Sequence, residues 1–222
     1  MHWHVLTAAL IVVAAWVAFV VARIVWAEAH GLSNADSQLY WTVGRGMANG
    51  LKPYVDLYEN KPPGIFLLSA LSIYFTNGHA LASIVQGAIF GLLPLIVFVT
   101  AIRRTAAVHM HRRVALCLCA FILAGLLSLS LERNSGHYQT ESFGAFFIVL
   151  YACSILWDGG KMGFWPTVFA SIGLGGGIGF KEPFLVVGLG LALLLSHSPK
   201  DLWRTFIRPL IFAAIAGATI LF

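Results

Sequence analysis

Charge is what this chain lacks most. Asp, Glu, Lys and Arg make up only 10% of its 222 residues, against 59% hydrophobic ones, where an average soluble domain is roughly a quarter charged. That shortage excludes an ordinary water-soluble domain and points to several membrane-spanning helices. Acid is scarcer than base, nine residues against fourteen, for a net charge of +5. Such a balance would suit nucleic acid, but the basic residues sit in short clusters between apolar runs, a pattern that orients a protein in a bilayer. No nucleic-acid partner is expected. Cysteine is scarce too: Cys117, Cys119 and Cys153 all lie in apolar runs, and the first two are too close for an ordinary bridge. Small buried thiols are expected, and a disulfide framework is excluded. Gly173, Gly175, Gly176, Gly177 and Gly179 crowd one apolar run with no strand before them, so they predict close helix packing and not a nucleotide-binding turn.

What the chain has in abundance is apolar length. Trp3 to Trp26 is long enough to cross roughly 30 Å of hydrocarbon, with a Trp at each edge. Its apolar run exceeds a signal-peptide core and has no Lys or Arg before it, so an uncleaved span is expected although Ala27-Glu28-Ala29 resembles a cleavage site. Further spans are expected at Ala80–Ile102, Val114–Leu131, Ser142–Trp157, Gly163–Phe180, Pro183–Ser196 and from Pro209 onward. Pro62–Thr76 is short for a span. If it stays at the surface, one side of the membrane collects +6 (Arg103, Arg104, Arg112, Arg113, Asp158, Lys161, Lys200, Asp201, Arg204, Arg208) and the other −2. That asymmetry follows the positive-inside rule and favours a surface helix there. The run RPLIFAAIAGATILF reaches Phe222 with no flanking charge, so later spans of a longer protein are expected.

The polar residues concentrate in one place. From Glu28 to Lys61 lie four of the nine carboxylates and three of the fourteen cations. Within it Leu39, Val43 and Met47 recur every four residues, which predicts a short amphipathic helix ended by Gly50. Asp36 opens that helix, and Lys61 is held before twin prolines. Each has a plain structural alternative: Ser33-Asn34-Ala35-Asp36 has capping-box spacing, and Lys61 could extend toward lipid phosphate. Glu141 could cap the helix that follows it. His109 and His111 beside arginines read as a solvated loop, with no third ligand for a metal.

The series Asp36-Ser37-Gln38-Leu39-Tyr40, Gly50-Leu51-Lys52-Pro53-Tyr54-Val55-Asp56 and Lys61-Pro62-Pro63-Gly64 resembles the first external loop of GT-C glycosyltransferases. The similarity is greatest to the polyprenyl-phosphate-sugar-dependent group, which includes protein O-mannosyltransferases and the lipid A aminoarabinose transferase. It continues through Arg103-Arg104, Tyr138-Gln139-Thr140-Glu141 and Lys181-Glu182-Pro183. The resemblance implies an all-α fold: a polytopic transmembrane bundle forming the N-terminal part of a GT-C domain over 1–222, with 27–79 as the first external loop carrying surface helices. Family members commonly have Asp-Glu where this chain has Asp36-Ser37, and they run well beyond this length.

By the same resemblance Asp36 is the catalytic base and Lys61 contacts the donor phosphate; on grounds of charge, Arg45 or Lys181 could join Lys61 there. Glu141 is a second acidic residue of the cavity, and Tyr54, His137, Tyr138 and Glu182 are candidate substrate contacts. The implied reaction moves a sugar, with inversion, from polyprenyl phosphate to an acceptor hydroxyl on a lipid, protein or glycan. The setting implied is a bacterial inner membrane, with the site facing the periplasm or exterior. No metal-binding residue is assigned, and a divalent ion is left open. Two alternatives stand beside this reading: a transporter or flippase for a lipid-linked sugar, and a non-catalytic membrane subunit.

Overall fold

The computed structural model describes residues 7, 11–22, 25, 35–57, 59, 61–135, 139–157 and 159–221. These residues are helical apart from turns and one isolated bridge between Pro53 and Leu57, so the all-α expectation holds for them. Two of the helices are long and apolar enough to cross a membrane. The chain forms two compact units, Met1–Ser142 and Phe143–Phe222.

In the first unit α1 (Ile11–Ala22) packs on α4 (Ala80–Arg104) and α5 (Met110–Ser135). The Trp16 indole donates to the Gly91 carbonyl at 3.2 Å and meets Phe121 edge-on. Of the expected Trp3–Trp26 span, the ends fall mostly outside the described residues. α4 carries the expected Ala80–Ile102 segment, and its 25 residues make a helix about 37 Å long. Arg103 and Arg104 lie in its last turn, and Arg113 donates to the Ile102 carbonyl at 3.0 Å. Cations at this C-terminus meet the negative end of the helix dipole. α5 covers the expected Val114–Leu131 segment. Its Cys117 is buried as expected, but Cys119 is exposed, because two positions along a helix is about 200° of rotation.

α2 (Ala35–Ala48) and α3 (Gly64–Thr76) lie against each other. Of the apolar stripe expected to lie along the membrane surface, Val43 is buried, Met47 is half-buried and Leu39 is exposed. The face that α3 covers is instead Ser37, Tyr40, Val43 and Gly44, and α3 answers with Ile65, Phe66, Ser69 and Ser72. Small residues win these positions because the backbones approach closely; a Cβ on Gly44 would lie 2.4 Å from that of Ser69. Gly50 ends α2 as expected, at φ +88°, while the Leu51 amide donates to the Gly46 carbonyl and the Gly50 amide to that of Met47. This is the left-handed stop that glycine permits. At the far end of α3 the buried Ser72 hydroxyl donates to Gly78 and accepts from the Ala82 amide, fixing the turn into α4.

The second unit holds most of α6 (Thr140–Trp157), then α7 (Phe164–Phe180), α8 (Phe184–Leu195), the short α9 (Pro199–Leu202), a π turn over Trp203–Ile207 and α10 (Arg208–Leu221). Its core gathers Tyr151, Ile155, Met162, Ala170, Leu174, Ala192 and Phe206. The glycine-rich run does what its spacing predicts: a Cβ on Gly173 would stand 2.6 Å from the Tyr151 amide nitrogen, and one on Gly176 would enter the Phe147 ring. The π turn leaves the Thr205 carbonyl to accept the Tyr151 hydroxyl at 2.9 Å. α8 has 12 residues, about 18 Å of helix, less than the Pro183–Ser196 span needs to cross hydrocarbon unaided.

Candidate functional site

The α2–α3 packing brings Asp36 and Lys61 together. Asp36 opens α2 and Lys61 precedes α3, so stacking the two helices sets their N-terminal ends side by side. The Lys61 ammonium lies 3.9 Å from the Asp36 carboxylate and donates to the Tyr40 hydroxyl at 2.6 Å. It stands 4.7 Å from the Tyr40 ring centre, beyond the hydroxyl oxygen, so the hydrogen bond and not the ring face carries this contact. Tyr40 is itself buried and packs edge-on against Phe66. The cation is thus tied to a side chain that cannot swing away.

The connecting loop holds the lysine from the backbone side. The Tyr54 hydroxyl donates to the Lys61 carbonyl at 2.6 Å, and the Tyr54 amide donates to Leu57. Tyr54 takes φ +65°, a left-handed conformation that costs a non-glycine residue of order 1 kcal/mol. The Asp56 carboxylate accepts from the Lys52 amide at 2.8 Å, which closes the turn. Tyr54, expected as a substrate contact, is exposed and in this arrangement also holds the Lys61 backbone.

Electrostatics keep Lys61 charged. Partial burial alone would push its pKa down, but the hydrogen bond to the Tyr40 hydroxyl and the negative charges of Asp36 and Glu59 together outweigh burial, and the net shift is upward from 10.5. The side chain keeps 32% of its surface exposed and Asp36 keeps 54%. Both can therefore meet a ligand without a change of fold. Ser37 is fully buried at 0% exposure, a place where a carboxylate would be desolvated.

Arg45 comes nine positions after Asp36 on the same helix, about 180° around it, so it faces away from the Asp36–Lys61 pair and lines a separate cleft. Glu141 is half-buried at the start of α6 and accepts from its neighbour Thr140 at 3.0 Å. Lys181 and Glu182 belong to the second unit, in the turn between α7 and α8, where the Lys181 amide donates to the Gly177 carbonyl. His137 and Tyr138 lie outside the described residues, as do Ser33 and Asn34 of the capping-box alternative. Among the described residues no three His, Cys, Asp or Glu side chains converge as metal ligands.

Comparison with protein-family models, with curated proteins and with solved structures gives no match. The residue that sequence reasoning passed over is Tyr40. Its signal was present: it sits at i+4 from Asp36 in a predicted helix, which places both on one face.

Proposed function

We propose that the chain is part of a polytopic membrane glycosyltransferase of GT-C type, using a polyprenyl-phosphate sugar at the α2–α3 loop on the outer face of the membrane. The observation that carries this reading is the Asp36–Lys61 pair, a base and a fixed cation 3.9 Å apart in a loop between apolar helices.

A sugar on polyprenyl phosphate already has a good leaving group, so transfer requires no general acid. It requires a cation for the phosphate that departs. Lys61, kept protonated by Tyr40, Asp36 and Glu59, supplies that cation. When the donor phosphate takes the ammonium, the Asp36 carboxylate loses its partner and becomes free to accept the proton of the acceptor hydroxyl. The acceptor oxygen bonds to the anomeric carbon as the carbon–oxygen bond to phosphate breaks, with inversion. The proton ends on Asp36 and the bonding pair on the polyprenyl phosphate.

Adding polyprenyl-phosphate sugar to the membrane-embedded protein is expected to protect Lys61 from amine labelling. Equal labelling with and without donor would remove the donor site from this loop.

A further inference from the structure

The face of α2 turned away from Lys61 carries Gln38, Trp41, Thr42 and Arg45, spaced i, i+3, i+4 and i+7, and the half-buried His79 closes one end. These five residues line a cleft of about 300 Å³, at the small end of ligand-binding clefts. Asp36 and Tyr40 lie roughly 150–180° away around the helix, so this is not the Asp36–Lys61 site.

Its chemistry is specific. Trp41 is half-buried and meets the His79 ring edge-on at 5.9 Å, which fixes an aromatic surface. The Thr42 hydroxyl is engaged by the Gln38 carbonyl at 2.8 Å. The Gln38 amide and the Arg45 guanidinium are exposed and have no side-chain partner among the described residues. Among the described residues the lining side chains are two aromatic rings, an amide, a hydroxyl and a guanidinium. The positive charge of the Arg45 guanidinium opposes a metal ion there. An aromatic plane, an amide and a guanidinium together match a polar ring with C–H faces, hydroxyls and one anionic group. We infer that this cleft binds a single anionic sugar residue, a hexose phosphate or a uronate, with Arg45 on the anion, Gln38 on hydroxyls and Trp41 against the ring.

This inference stands apart from the transferase reading and is tested without turnover. The full chain in lipid nanodiscs is titrated by ligand-observed NMR with glucose 1-phosphate, glucuronate, glucose and inorganic phosphate. Glucose 1-phosphate and glucuronate are expected to bind about tenfold more tightly than glucose, and inorganic phosphate is expected to displace them poorly. Arg45→Gln, an exposed substitution, should abolish the advantage of the anionic sugars, whereas Lys61→Met should leave it intact. Three results would overturn the inference. They are equal binding of glucose and its phosphate, displacement by inorganic phosphate at the same concentration, and loss of binding in Lys61→Met with retention in Arg45→Gln.

Discussion

Lys61 donates a 2.6 Å hydrogen bond to Tyr40, 21 residues earlier, and this bond joins the loop before α3 to the buried face of α2. Tyr40 is inaccessible to solvent, so the bond ties a titratable group near the surface to the interior of the helix pair. Charge, position and packing at the site meet in it.

Tyr40→Phe keeps the ring against Phe66 and removes only the acceptor. The burial that opposes protonation remains while the largest favourable contribution is lost, so the Lys61 pKa falls. Amine labelling of Lys61 as a function of pH should show its midpoint move to lower pH than in the parent. Stability should drop by about 1 kcal/mol, the ordinary worth of a partly exposed charge-assisted hydrogen bond. Because the folded-state pKa lies above the unfolded value, this stabilisation is complete below pH 10.5 and disappears as pH rises through the folded-state pKa. An unchanged labelling midpoint would mean that the bond does not hold the proton.

Asp36→Asn retains size and hydrogen bonding but cannot take a proton. Transfer from a polyprenyl-phosphate sugar, assayed with the full-length protein in membranes, should fall by about 10²- to 10⁴-fold, with membrane insertion unaffected. The same substitution removes a negative charge from Lys61, lowering its pKa in the direction of the Tyr40→Phe effect. Turnover at the parental rate would take Asp36 out of the reaction.

The apolar runs were legible because hydrophobic length and the 3.6-residue period survive in any helix. Ala80–Ile102 became α4, Ser142–Trp157 lies within α6, and the glycine stop of α2 falls at Gly50. The inward face of α2 was less so: helices that approach closely select small residues such as Ser37 and Gly44, which a hydrophobicity pattern reads as polar or neutral. The pairing of Asp36 with Lys61 could be proposed from the order of motifs; the spacing of Tyr40 puts it on the face of Asp36, but that spacing does not show that its hydroxyl accepts from a cation. Arg45 was misaligned for a simpler reason. Proximity in the loop sequence outweighed the rotation of the helix that carries it.

Gly44→Ala tests whether helix contact builds the site. Its Cβ would meet Ser69 Cβ at 2.4 Å and the Ala70 nitrogen at 2.9 Å, a backbone clash that side-chain motion cannot relieve. Overpacking of this kind costs about 1–3 kcal/mol. Thermal unfolding of the detergent-purified protein should shift down accordingly, and Lys61 should become more reactive toward amine reagents as α2 and α3 separate. Ala at Gly179, where a Cβ meets nothing within 4 Å, is the matched control and should leave Lys61 reactivity unchanged. Parental stability in Gly44→Ala would show that the two helices pack less closely than described.

In the proposed membrane reading, the side on which the loop lies depends on α3. At 13 residues it is about 20 Å long, short of the roughly 30 Å of hydrocarbon, and its Tyr74 and Phe75 are exposed as in a helix lying at the interface. If α3 stays on one side, α4 alone separates the loop from Arg103 and Arg104. In a background with Cys117, Cys119 and Cys153 changed to Ser, Val55→Cys should react with an impermeant maleimide added outside intact cells. Arg104→Cys should react only after permeabilisation. Both positions are exposed in the fold, so accessibility reports topology and not burial. Reaction of both from the same side would mean that α3 crosses the bilayer as well. The basic cluster would then share a face with Asp36 and Lys61, and the charge asymmetry expected to orient the loop outward would be lost.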